Sequence, residues 1–292
     1  MTTSLTRRSL LGALTLAAAG VALPGAARAQ AEGEAELVEL EKKSGGRLGV
    51  AVLDTGSGKR LAHRADERFP MCSTFKLLAA AAVLARVDRG SERLDRRVEY
   101  AADMLVDGSP VTKDHVGSPG LTVAQLCRAA VTVSDNTAAN LLLKDLGGPA
   151  GLTDYARSIG DLVTRLDRIE PELNEAAPGD PRDTTAPSAI LGDLEKIVLG
   201  DALSAGCRAQ IKSWLMASTT GLERLRAGMP RDWLMGDKTG TGNNGVTNDV
   251  GVVWPPSRRP IVVAAYLAES PASVDERNVI MKEIGRIVAT RL

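Results

Sequence analysis

The sequence is poor in aromatic residues, cysteine and histidine, and each shortage removes a class of function. Phe, Trp and Tyr make up only 3% of the 292 residues, which leaves little to stack on nucleic-acid bases. Lys plus Arg number 36, as do Asp plus Glu, so no basic excess draws the chain to phosphate backbones. The two histidines, His63 and His115, are far apart, and there are three cysteines, Cys72, Cys127 and Cys207. No histidine-rich zinc cluster can be built from these, which argues against a metal-dependent hydrolase. The histidines read as surface or capping residues, and no metal or organic cofactor is expected. What is present is 44% hydrophobic and 25% charged, enough for one large domain or two small ones.

The longest apolar run belongs to an expected export signal over residues 1–29. Thr6-Arg7-Arg8-Ser9 stands before the run Leu10 to Leu23, and Ala27-Arg28-Ala29 supplies small residues at cleavage-site spacing. The run is too short to span a bilayer comfortably. Paired arginines before a mild, alanine-rich run resemble a twin-arginine signal; a general secretory signal that happens to contain Arg-Arg is the alternative. No cysteine lies near the cleavage site, so no lipid anchor is expected. Cleavage after Ala29 removes Arg7, Arg8 and Arg28 and takes the net charge from zero to −3. The expectation is a domain over residues 30–292 that acts in the periplasm or outside the cell.

The rest of the chain reads as strand, helices, strand. RLGVAVLDTGSGKRLAH alternates apolar residues around Thr55–Gly58, a hairpin pattern. From Ser73 to about Ile211 the pattern is mostly helical, with Leu77–Val87 ending at Gly90, Val123–Ala130, and Asn136–Leu146 ending at Gly147-Gly148. Residues 161–187 break that pattern and predict a long irregular loop, usually a functional feature in a compact domain. Strands are expected at Leu234–Thr239, Asp249–Trp254 and Ile261–Leu267, and a last amphipathic helix at about Val274–Arg291. Strands from both chain ends should join one antiparallel sheet, with a helical region inserted between them.

Three short motifs carry chemistry. In MCSTFK, Ser73 and Lys76 lie one helical turn apart, ahead of the oily LLAAAAVLARV. A hydroxyl beside an amine at a helix start can be an activated nucleophile. An N-cap serine with a snorkelling lysine has the same spacing, so this motif alone decides nothing. Ser134-Asp135-Asn136 precedes an apolar helix and reads alone as a cap. Lys238-Thr239-Gly240 ends a predicted strand and reads alone as a hairpin edge. Together, in this order, they are the triplets of class A β-lactamases and penicillin-binding proteins.

The sequence resembles a class A β-lactamase over essentially the whole mature chain, including SPVTKDH at 109–115, SDNTAANLLL at 134–143 and DERN at 275–278. That resemblance implies an α+β fold, a three-layer α/β/α sandwich. Its five-stranded antiparallel sheet comes from about 30–70 and 215–292, its all-helical subdomain from about 71–214, and its active site lies between them. Residues 168–183, with Arg168, Glu170, Pro171, Asn174 and Asp183, resemble the family's Ω-loop; Glu172 and Glu175 read as solvated acids. The resemblance implies Ser73 as nucleophile and Lys76, or Glu170 through water, as the acylation base. Ser134 relays a proton to the leaving nitrogen. Glu170 and Asn174 hold the hydrolytic water, and Arg168 with Asp183 ties the loop ends. Asn136 binds the acyl side chain; Lys238, Thr239, Gly240 and Thr241 bind the rest of the substrate, Thr241 N with Ser73 N forming the oxyanion hole.

Several positions depart from family patterns. The cysteine some members pair with Cys72 is Gly242 here, and the partner often found for Cys127 is Ala80, so neither disulfide can form. The aromatic at the pocket mouth is replaced by Gly108. The arginine common on the strand after the Lys-Thr-Gly triplet is replaced by Thr247, and Arg224 matches the alternative position for that charge. A surface arginine on a basic stretch with Arg226 and Arg231 is the plain alternative for Arg224, with Arg226 as a silent control. Small-molecule β-lactams are the expected partners of a monomer, with no nucleic acid and no membrane anchor after signal cleavage. A D,D-peptidase shares the triplets, but Glu170 and Asn174 argue against it; a β-lactam sensor would carry membrane helices.

Overall fold

The computed structural model describes residues 24–292; the Thr6–Ser9 motif and the run Leu10–Leu23 lie outside them. A helix absent from the sequence reading opens the fold, α1 (Pro24–Ser44). Its charge-rich text hides the stripe it buries, of which Leu37 is the innermost residue. Glu32, Glu36 and Glu41 bind it down through Arg291, Arg286, His63 and Arg64.

Strands β1 (Arg47–Asp54) and β2 (Arg60–His63) form the expected hairpin. Short ladders join β3 (Phe69–Pro70) to β6 (Thr184–Thr185) and β4 (Arg97–Val98) to β5 (Leu121–Thr122). The helical region holds α2 (Phe75–Asp88), α3 (Val123–Thr132), α4 (Asn136–Leu146), α5 (Gly148–Ser158), α6 (Pro187–Leu194) and α7 (Ala205–Met216). The chain closes with β7 (Leu234–Gly242), β8 (Val246–Trp254), β9 (Ile261–Ala268) and α8 (Val274–Arg291). The sheet order is β2-β1-β9-β8-β7, antiparallel throughout, so strands from both chain ends lie side by side.

Alternation along the strands explains the three layers. Leu48, Val50 and Val52 of β1 share one face with Val263, Ala265 and Leu267 of β9, and pack on Leu37 of α1 and Ile280, Ile284 and Ile287 of α8. Ala51 and Leu53, with Val262, Ala264 and Tyr266, face the helical region. Gly49 lies on that second face, where an added Cβ would come within 2.4 Å of Phe69 and 2.9 Å of Pro187. Every residue of α2 from Phe75 to Ala85 is buried, because this helix is the axis around which α3, α4, α5 and α7 pack. No described helix is long and apolar enough to cross a membrane.

Two boundaries differ from the sequence reading. Strand β7 continues through the Lys-Thr-Gly triplet to Gly242, three residues past the expected end, and β8 starts at Val246 rather than Asp249. Pairing of Thr241 with Thr247 and Gly242 with Val246 carries the ladder to a tight turn at Asn243–Gly245. The triplet is therefore held inside a strand at the sheet edge, with its outer side free for the cleft.

Candidate active site

Ser73 sits in a 3-10 turn, Cys72–Thr74, that feeds directly into α2. Cys72 before it and Ser134 across the cleft both adopt left-handed backbone, with φ of 44° and 60°. Such conformations in non-glycine residues persist only where the surroundings enforce them. Lys76, one turn after Ser73, is fully buried. Its ammonium meets Glu170 Oε1 at 2.9 Å, Ser134 O at 2.8 Å and Ser134 Oγ at 3.3 Å, and also donates to Asn136 Oδ1. These partners offset a desolvation that would otherwise neutralise the amine. Burial still pulls the Lys76 pKa below the ordinary lysine value, against the opposing pull of Glu170.

Glu170 is fully buried although it lies on an irregular loop. Ser73 Oγ donates to its Oε1 at 3.1 Å, and Asn174 Nδ2 donates to its Oε2. The Glu170–Pro171 peptide is cis. Arg168 Nε donates to Asp183 Oδ2 at 2.6 Å, and the backbone N–H groups of Asp167 and Arg168 donate to Asp183 Oδ1, so the loop is tied across its neck. Glu175 is exposed, as read, and also pairs with Arg168 from within the loop. Asn136, besides meeting Lys76, donates from Nδ2 to Asp107 O at 2.7 Å. Gly108 lies beside it at φ 78°, where a Cβ would come within 2.7 Å of Asn136 Nδ2.

Strand β7 forms the opposite wall. Gly240 lets it approach the nucleophile turn, for an added Cβ would lie 2.7 Å from Met71 O. A Cβ at Gly242 would lie 2.6 Å from Cys72 Sγ, so residue 242 does face Cys72. All three cysteines are free and buried. Lys238 is fully buried and donates to Ser134 Oγ at 3.1 Å and Thr239 O at 2.7 Å. Burial first, then the nearby Lys76 charge, push its pKa well below the ordinary value. Ser134 Oγ thus lies between two lysines, each with reduced hold on its proton. Thr239 Oγ1 meets Thr220 Oγ1 at 2.6 Å.

The plain reading of Arg224 as a surface residue fails, because it is only 6% exposed. Its guanidinium donates to Gly240 O at 2.9 Å, Asn248 O at 2.8 Å, Thr241 Oγ1 at 2.7 Å and Asn278 Oδ1 at 3.0 Å. It therefore supplies charge beneath the Lys-Thr-Gly strand. Arg226 also differs from expectation: it pairs with Asp237, which is fully buried, and cannot serve as a silent control.

The cleft thus brings together Ser73, Lys76, Ser134, Asn136, Glu170 and Asn174 from the helical side with Lys238, Thr239, Gly240 and Thr241 from β7; Arg224 stands behind that strand. The sequence profile of the β-lactamase enzyme family matches residues 33–292. A solved ancestral (GNCA) class A β-lactamase superposes with a TM-score of 0.88 at 64% identity, over 89% of this chain and all of that one. The chain belongs to the class A β-lactamases. β-Lactamase AST-1 of Nocardia asteroides is 52% identical over 254 residues, 87% of this chain and 82% of the relative. The carbapenem-hydrolyzing β-lactamase KPC of Klebsiella oxytoca is 54% identical over 229 residues, 78% of each chain. As a member of this family, the present β-lactamase is a serine hydrolase that cleaves β-lactams.

One residue of the site was missed in the sequence. Asn140 of α4 clamps the backbone of Glu170, accepting from its N–H at 2.9 Å and donating to its carbonyl at 2.8 Å. The available signal was its place four residues after Asn136, on the same helix face. Asp135, read as a cap, does cap α4 through Ala138 N, and its other oxygen also takes the N–H groups of Val111 and Thr112.

Proposed function

We propose that this β-lactamase opens penicillins and cephalosporins through an acyl-enzyme on Ser73 that Glu170 then hydrolyses. The hydrogen bond from Ser73 Oγ to Glu170 Oε1, with Lys76 held on the same oxygen, carries this reading. In acylation the serine proton passes to Glu170 or Lys76 as Oγ bonds to the lactam carbonyl. The oxyanion is met by the N–H groups of Ser73 and Thr241, one such donor being worth roughly 10²–10³ in rate. Ser134 gives its proton to the departing lactam nitrogen and is resupplied through Lys76. Lys238 provides positive potential for the substrate carboxylate, and Arg224 reinforces it through Thr241. In deacylation Glu170, with Asn174, takes a proton from water, which attacks the ester and returns Ser73. General-base help of this kind contributes about 10²–10⁴.

Nitrocefin turnover by the purified protein tests this, with Ser73→Ala as the dead control. Labelling of Ser73 without turnover would assign the protein to β-lactam binding instead. We further propose export to the periplasm or exterior through a twin-arginine signal, cleavage after Ala29, and action as an unanchored monomer. N-terminal sequencing of the exported protein would check the cleavage site, its sedimentation the monomer, and the Arg7→Lys, Arg8→Lys double substitution the export route.

A further inference from the structure

Near the two ends of the long loop over residues 161–187, two buried carboxyl groups line one cavity, and neither forms an ion pair among the described residues. Asp161 opens the loop and is 5% exposed; Asp193 lies on α6, just past the loop's end, and is 1% exposed. They share that cavity with Gly160, Val163, Ser188 and Lys196. Asp161 Oδ1 accepts from Val163 N at 2.7 Å and Thr164 N at 3.0 Å, whereas Asp161 Oδ2 and both oxygens of Asp193 lack any donor. Two ionised carboxylates cannot share such a site, and leaving their oxygens unmatched would be costly. One proton between them resolves both difficulties.

We propose that Asp161 and Asp193 share one proton as a latch across the base of this loop, and that this latch holds Glu170 in register for deacylation. Asp161 is the charged member, because its backbone donors favour the ion, and Asp193 is the donor. Burial, then the Asp161 charge, pushes Asp193 up to about 9, while Lys196 and Arg157 pull the other way. Burial first, and then the Asp193 charge, raises the pKa of Tyr155 of α5; in Tyr266 of β9 burial is again the largest cause, with the Asp193 and Asp161 charges adding to it. The latch connects to the rest of the loop through the Thr164–Thr185 hydroxyl pair at 2.6 Å and the bond from Arg165 N to Thr184 O at 3.0 Å. The folded protein holds this proton more tightly than the unfolded chain does. Its stabilising contribution is full below the ordinary aspartate value and is lost as pH rises toward about 9.

The inference rests on Glu170 being the deacylation base, so the test reads the loop and the chemistry separately. Hydrogen exchange of residues 161–187 without substrate, and single-turnover kinetics with a penicillin, are followed from pH 6 to 10.5 in the wild type and Asp193→Asn. In the wild type the loop should lose protection with a midpoint near 9, beyond the intrinsic rise in exchange. Deacylation should fall roughly tenfold one pH unit above that midpoint. The amide of the variant donates to Asp161 at every pH, so both losses should vanish while its rates at pH 7 stay within about twofold. Titration of Lys76 or Lys238 would affect both proteins alike and drops out of the comparison. Protection that stays flat in the wild type, a measurement that needs no variant, overturns the latch, as does an identical loss in both proteins. Protection lost without a change in deacylation would keep the shared proton but overturn its hold on Glu170. Normal deacylation by Glu170→Ala would instead count against Glu170 as the base.

Discussion

Asn140 and Glu170 form a closed two-way clamp, side-chain amide to backbone, with N···O distances of 2.9 and 2.8 Å. The clamp joins α4 to the only loop residue whose carboxylate touches both Ser73 and Lys76. It sets where the carboxylate stands without touching it.

Replacing Asn140 with Ala should therefore leave two backbone groups of Glu170 unmatched, each costing about 1–3 kcal/mol where it cannot reach water. Deacylation should slow by roughly tenfold or more, with acylation less affected, because a small misplacement of a base costs rate steeply. Separate burst and steady-state rates on a penicillin check this; equal slowing of both steps would mean a general loss of structure.

Glu170→Ala should accumulate a covalent adduct on Ser73, visible by intact-mass spectrometry after exposure to penicillin. Lys76 loses its ionic partner in a fully buried position, so its pKa falls further and it can still take the serine proton. Among the described residues no other carboxylate bonds Ser73 Oγ, so deacylation has no substitute. A variant that never labels would make Glu170 indispensable to the first step.

Arg224→Ala should lower kcat/KM for carboxylate-bearing substrates ten- to hundredfold, the equivalent of about 1.5–3 kcal/mol for a lost charge-assisted contact. Arg224→Lys should recover the charge but not the four-bonded fork, and so only part of the rate. Arg226→Ala should act differently, lowering melting temperature rather than substrate affinity, because it strands buried Asp237; breaking such a pair costs about 3–5 kcal/mol. Matching effects of Arg224→Ala and Arg226→Ala on KM would remove Arg224 from carboxylate recognition.

Reducing agent should change neither activity nor melting temperature, since Cys72, Cys127 and Cys207 are all free. A thiol reagent should count no cysteine quickly in the native protein and three after denaturation, because all three are buried. A melting temperature that drops on reduction would reveal a bond between chains.

The sequence by itself determined the reaction, through the resemblance to class A β-lactamases that its motifs carry together. Ser73, Lys76, Ser134, Glu170 and Lys238 are carried in short ordered motifs, and the strand and helix periods around them assign the sheet to both chain ends. Those features are local, set by spacings of a few residues, and can be read without coordinates. Helix α1 escaped because its charged text anchors to Arg286 and Arg291 some 250 residues away, a partnership no local window contains. The resemblance singled out Arg224, but only the tertiary structure decided what each arginine holds, since Arg224 and Arg226 are two residues apart and look alike in sequence. One lies under β7 on Thr241 and Asn278; the other turns to Asp237. The same holds for Asn140 and for the Asp161–Asp193 pair. Their roles depend on burial and on contacts between elements folded from distant stretches, and burial is what turns an ordinary polar side chain into one that must find a partner.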